Sequence, residues 1–134
     1  MAAESPVPVA EQLRQLGTFA GATGGELRRI ADAGRVVAVP QNWSVIWERT
    51  PADKAYVVLT GELDVRRKGQ VVARLGAGDV VGEVAIVENR LRNATVVAAT
   101  RLEVLHFTKD AVEELYADVP TFRAAVDRAV LAHA

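Results

Sequence analysis

The spacing of apolar residues changes twice along the chain. From Val9, the residues Leu13, Leu16 and Phe19 recur at steps of three and four, and after the break Gly21–Gly25 the pattern returns as Leu27, Ile30 and Ala31. This predicts two short helices, the second with Thr23 as its N-cap and Gly34 as its stop. From Arg35 to Phe107 the texture is short runs rich in Val, Ile and Leu, with turn signals at Pro40, Pro51, Gly61, Gly69 and Gly78. Runs of that length separated by such residues predict an antiparallel sandwich or roll and not alternating βαβ units. The helical period returns at the end. Thr108 and Thr121 are the expected N-caps, and Phe122, Ala125, Val126, Ala129 and Val130 form one apolar stripe. Trp43 and Trp47 are four apart within a run that reads as strand, which places both on one face against the core. Residues 1–8 lack periodicity and are expected to be a disordered lead-in to a single domain over 9–134, with the roll at about 35–107 and the terminal helices at about 109–133.

Composition narrows the function classes. A chain of 134 residues with 50% hydrophobic and 25% charged residues has ordinary globular proportions for one domain. Its formal net charge of -1 lacks the basic field of a non-specific nucleic-acid binder, and DNA binding is not expected. With no cysteine, disulfides, thiolate nucleophiles and zinc–thiolate sites are excluded, which fits a reducing cytoplasm. The serines Ser5 and Ser44 and the histidines His106 and His133 have no spacing that suggests a nucleophile with its base or a pair of metal ligands. Neither enzyme activity nor a metal is expected. No apolar run is long enough to span a bilayer.

The segment from Gly78 to Ala99 departs from a plain strand ladder, because Gly78 and Gly82 bracket only three residues. After Gly82, Glu83–Val87 has room for one helical turn, which would present the N–H groups of Val84 and Ala85 to an anion. A polar loop with two arginines, Arg90 and Arg92, follows and feeds the alternating run from Asn93 to Ala98. Backbone donors and a guanidinium suit a phosphate, and a carboxylate accepts from a sugar hydroxyl, so the set points to a nucleotide.

The pattern Gly82, Glu83, Ala85, Arg92, Ala94, Thr95, Val96, Ala98 resembles the phosphate-binding cassette of cyclic-nucleotide-binding domains. Leu16 to Phe19, Leu27, Tyr56 to Leu63 and Gly76 to Asp79 are also similar to that family, so the resemblance runs from about Val9 to Leu131. It implies a mainly β fold with flanking helices: an antiparallel eight-stranded β-roll with N-terminal helices and a C-terminal helical pair. It implies that Glu83 holds the ribose 2′-OH and that Arg92 pairs with the cyclic phosphate. The amides of Val84 and Ala85 would complete the cradle with Gly82, while Asn93 and Ala94 follow the arginine. Val65, Val72 and Ala73 would line the base pocket. Family members that favour cGMP tend to carry a hydroxyl residue after the arginine; Asn93 stands there, so cAMP is the expected ligand and cGMP the less favoured one.

Plainer readings stand beside these. Glu83 could only cap a helical turn, Arg90 has the same strand parity as Arg92, and Thr95 reads as a sheet residue. Arg66, Arg67 and Lys68 read as a solvated hairpin tip. The expected function is a cytoplasmic cyclic-nucleotide sensor, without membrane contact, that shifts its C-terminal helices on binding and meets a protein partner or a second copy through the last helix. Two alternatives remain: a degenerate roll that serves as a docking module, and a regulatory domain excised from a larger protein.

Overall fold

A computed structural model describes residues 7–47, 49–50, 53–82 and 94–133. Helix α1 is Val9–Gln15 and α2 is Gly24–Ala33. The strands are β1 (Arg35–Val39), β2 (Ser44–Ile46), β3 (Lys54–Thr60), β4 (Leu63–Arg67), β5 (Gln70–Leu75), β6 (Val80–Val81), β7 (Thr95–Ala98) and β8 (Leu102–Thr108). Helices α3 (Lys109–Asp118) and α4 (Pro120–His133) follow. All strand pairs are antiparallel and form two four-stranded sheets, ordered β1-β8-β3-β6 and β2-β7-β4-β5. This is the β-roll with flanking helices that the sequence implied.

Two apolar clusters hold the layers together. Tyr56, Val58, Leu102 and Val104 of the first sheet meet Leu63, Val96 and Ala98 of the second. The alternate residues of the same two strands, Ala55, Val57, Leu59, Leu105 and Phe107, point the other way into a cluster closed by Leu13, Leu27, Ile30, Leu115 and Phe122 from the helices. Strands β3 and β8 are therefore covered on both faces, which is why Ala55–Leu59 is an unbroken apolar run. Each fully buried Leu or Phe side chain there stabilises the fold by about 1.5–3 kcal/mol.

The local signals are readable in the termini of the helices. Thr23 accepts from the Glu26 N–H while the Glu26 carboxylate accepts from the Thr23 N–H, a reciprocal cap, and Thr108 caps α3 through the Ala111 N–H. Gly61 turns β3 into β4 at φ +94, where a Cβ would lie 2.4 Å from the Arg101 carbonyl oxygen, so both the backbone sign and the space require glycine.

Three sequence expectations are corrected. Thr121 is not an N-cap: Pro120 is the first residue of α4 and drives the preceding Val119 into extended backbone, so the helix opens two residues earlier than a Thr121 cap would set it. The Thr121 hydroxyl instead donates to Glu26 Oε2 at 3.1 Å. Trp43 and Trp47 are not core; they are 65% and 62% exposed. They flank a strand of only three residues whose register shifts between Ser44 and Ile46, so the alternation that would align them is broken. Helix α1 closes at Leu16, before Phe19, which lies in the following turn and stacks on Phe122 at 6.2 Å. The apolar stripe of α4 is spent inside the molecule: Phe122, Ala125 and Val126 are buried, and Ala129 and Val130 pack against the same cluster. Self-association through that stripe would require the helix to leave the core.

Candidate functional site

The approach to the candidate site is a turn clipped to the sheet. The Asp79 carboxylate accepts from the Gly76 N–H at 2.8 Å, the Gly78 N–H donates to the Val58 carbonyl at 2.8 Å, and the Val58 N–H donates to the Asp79 carbonyl at 3.0 Å. Two residues of β6 then pair with Tyr56 and Val57 of β3 before the chain reaches Gly82 at φ +92. The chain re-enters at Ala94, which is buried, and continues as β7 in the other sheet. Residues 83–93 thus connect the two sheets. Glu83, Val84, Ala85, Arg92 and Asn93, together with the rival Arg90, lie outside the described residues.

Val65, Val72, Ala73 and Ala94 lie among the described residues, as does Gly82. Val65 pairs with Val96 of β7 on one side and Ala73 of β5 on the other, forming one cross-strand row. Ala94 lies two residues before Val96 and continues the row's parity. Opposite Val65 and Arg66 the β5 strand has an extra residue, Val72, in a bulge, a feature that re-aims side chains beside sites. Val65 packs against the inter-sheet cluster, whereas Val72 and Ala73 are exposed. An apolar row open at one end suits the flat edge of a base. Gly82 follows β6, a strand of the opposite sheet from these three.

Two features escaped the sequence. Asp64 is only 7% exposed, the buried charged side chain among the described residues. Its carboxylate accepts from Arg74 Nε at 2.9 Å, and Arg66 Nη2 approaches its other oxygen at 3.9 Å. The hydrogen bond to Asp64 holds the Arg74 guanidinium above its ordinary pKa. Arg66 Nε is buried without a hydrogen-bond partner. The alternation Leu63, Asp64, Val65, Arg66 puts both charges on the outer face, and the antiparallel register puts Arg74 opposite Asp64. The hairpin tip itself is a two-residue turn, Lys68 and Gly69, both with positive φ.

The second feature is Thr18, in the turn after α1. Its hydroxyl donates to the Gly78 carbonyl at 2.6 Å, and its own carbonyl accepts from Arg128 Nη2 of α4 at 2.7 Å. The last helix is thereby tied through one residue to the turn that precedes β6 and Gly82. A cleft of about 290 Å3 lies along this tie, lined by Thr18, Asp79, Val80, Ala125, Arg128 and Ala129 among others. The described residues hold no group of three His, Asp or Glu side chains that could bind a metal ion. None of their helices is long and apolar enough to cross a membrane.

A family model described as "Cyclic nucleotide-binding domain" matches residues 36–119. A cAMP-dependent protein kinase regulatory subunit of Yarrowia lipolytica is 40% identical over 96 residues, covering 70% of this chain and 26% of its own length. A cGMP-dependent protein kinase of Caenorhabditis elegans is 43% identical over 60 residues, 45% of this chain and 8% of its own. The chain thus spans about a quarter or less of these curated relatives. Among solved structures, a cyclic nucleotide-binding domain from Methylobacillus flagellatus superposes with a TM-score of 0.74 at 26% identity, covering 93% of this chain and 73% of the other.

Proposed function

The chain belongs to the cyclic nucleotide-binding domain family, and on that premise we propose that it is a sensor that binds cAMP in preference to cGMP between residues 82–94 and the Val65–Ala73 row. The observation that carries this reading is the placement of the cassette pattern: Gly82 leaves one sheet, Ala94 enters the other, and an apolar row with an exposed end stands beside the re-entry. Binding is the function and catalysis is not part of it. Arg92 pairs with the cyclic phosphate, the Val84 and Ala85 amides complete its cradle with Gly82, and Glu83 accepts from the ribose 2′-OH. Val65, Val72 and Ala73 meet the base, with Asn93 and Ala94 at the edge of the phosphate site.

Ligand occupancy then shifts α4. The ligand adds negative charge and tethers Arg92 to the cassette, and the change reaches α4 through Gly78, Thr18 and Arg128. A ligand shifts such an equilibrium only as far as it binds the two helix positions differently. The name of the Yarrowia lipolytica relative supports cAMP, and the cGMP-dependent kinase match makes cGMP the competitor to measure.

Calorimetric titration with cAMP, cGMP and AMP tests the reading. Arg92→Ala is expected to cost about 2–5 kcal/mol of binding, the usual consequence of breaking a desolvated charge pair, and Arg90→Ala far less. Glu83→Ala is expected to weaken cAMP much more than 2′-deoxy-cAMP. Equal losses for both ligands, or a larger loss at Arg90 than at Arg92, would overturn the assignment, and the absence of any cyclic-nucleotide binding would leave the docking-module alternative in its place.

A further inference from the structure

A buried carboxylate is costly unless it is paired, and Asp64 is buried in a strand whose neighbours offer it little choice. Across the sheet it stands between Val97 of β7, whose side chain is apolar, and Arg74 of β5. Its bond of 2.9 Å therefore runs to β5, while Arg66 on its own strand stays at 3.9 Å. The same guanidinium approaches Glu62 of the β4 arm at 4.0 Å.

Strand β5 needs such a hold. It is the terminal strand of its sheet, and Gln70, Val71, Val72, Ala73 and Arg74 are all exposed. Leu75, at its end, packs against the inter-sheet cluster. Burial of one face is what ordinarily fixes a strand's register, and a strand without a packed face is prone to slip. The bulge makes the register here more demanding, since Val65 pairs with Ala73 while Arg66, the next residue, pairs with Val71. Asp64 and Arg74 form the rung between Leu63–Leu75 and Val65–Ala73. Their bond thus lies between the anchored end of β5 and the bulge, one residue from the row assigned to the base.

We propose, on the nucleotide-binding reading above, that Asp64 is a positioning residue for the base end of the site: through Arg74 it clamps β5 to β4, keeps Ala73 opposite Val65, and so sets how sharply the site distinguishes one base from another. Asp64 itself does not touch the ligand. Strand alternation puts the charge pair on the outer face and Val65 on the inner one, so a contact on the solvent side of the sheet is read out on the ligand side. A buried ion pair adds little net stability over apolar packing, and fixing register is its best-attested use. The phosphate end of the site is not on β5, so loosening this strand acts on base discrimination and not on nucleotide binding as a whole.

The test compares the full chain with Arg74→Ala, Asp64→Asn, the double variant, Arg74→Lys and, as a charge control, Arg67→Ala, by calorimetric titration with cAMP and cGMP. Arg74→Ala is expected to move the ratio of the two affinities about five-fold towards one, the scale of one cross-strand contact. Asp64→Asn moves it in the same direction, and the double variant goes no further than Arg74→Ala, because both changes remove one bond. Arg74→Lys keeps the charge and a donor and restores most of the ratio. Arg67→Ala removes the same charge from an exposed position of the same hairpin and weakens both nucleotides alike, with the ratio unchanged. In the ligand-free protein, the amides of residues 71–73 exchange faster in Arg74→Ala than in the parent, with those of β3 and β8 unchanged, which separates a loosened edge from a loosened fold; Asp64→Asn, which keeps the shape, serves if Arg74→Ala folds poorly. An unchanged ratio in Arg74→Ala, an equal loss for both nucleotides, or no rescue by Arg74→Lys would each overturn the proposal. A parent chain that binds neither nucleotide, or both equally, fails the earlier reading and this role with it, whereas a parent that prefers one of them with a ratio indifferent to Arg74 fails this proposal alone.

Discussion

Thr18 gives the sharpest prediction, because truncation and isosteric replacement act there in opposite proportions. Its hydroxyl lies 2.6 Å from the part-buried Gly78 carbonyl oxygen. Thr18→Ala deletes the donor, and a neutral hydrogen bond of this kind contributes about 1 kcal/mol, or about 3 °C in Tm for a chain of this size. Thr18→Val keeps the shape but puts a methyl where the hydroxyl was. A methyl carbon needs about 3.3 Å from a carbonyl oxygen, so the turn and the Gly78 strand must part by about 0.7 Å. Overpacking of that kind costs about 1–3 kcal/mol beyond the lost bond, for a total of about 2–4. The room to relax is small, since a Cβ built on Gly78 would itself fall 2.8 Å from Thr18 Oγ1. The conservative substitution is therefore the more damaging one. Denaturant unfolding of the three proteins measures the order. Calorimetry with cAMP should place Thr18→Val below Thr18→Ala in affinity, because the displaced carbonyl lies four residues before Gly82. A Thr18→Val protein as stable as Thr18→Ala would refute the tight Thr18–Gly78 contact and with it the route from α4 to the pocket.

Gly61→Ala should cost more than about 2 kcal/mol, since its methyl would meet the Arg101 carbonyl at 2.4 Å, while Gly69→Ala, with open space around it, should cost about 1, the backbone term alone; denaturation midpoints compare them. His106 has its pKa lowered, first by burial and then by Arg35 and Lys54, so the unfolded chain takes up a proton before the folded one does. Stability should therefore fall as pH drops through the ordinary histidine value of 6.5 and level off below the lowered native value, and His106→Gln should flatten that part of the stability profile. Trp43→Ser and Trp47→Ser should each change stability by less than about 0.5 kcal/mol. Because these are the only two tryptophans and both are exposed, emission from the native protein should shift little on unfolding.

Elements fixed by local chemistry were legible in the sequence. The Thr23 and Thr108 caps, the Gly61 turn and the strands between them follow from side chains acting on their own backbone, and the structure has them where the pattern placed them. Features set by pairing across the chain were not. Asp64 reads as an ordinary outward residue until the register sets Arg74 opposite it. Trp43 and Trp47 share a parity that one extra residue in β2 destroys, and β6 is too short to show any alternation. Of the residues expected beside the base, Val65 and Ala73 are cross-strand neighbours, and Val72 adjoins them through a bulge that no spacing announces. The resemblance identified residues 82–94 by their order, and of these Gly82 and Ala94 lie among the described residues.

The wall between the two apolar clusters is a single sheet, with Val57 on one side and Val58 on the other. The inter-sheet cluster takes no residue from the helices, so a lineage could exchange, lengthen or re-aim the helical roof without rebuilding the chamber beneath it. Descendants of such a fold would diverge fastest in what they report and slowest in what they hold.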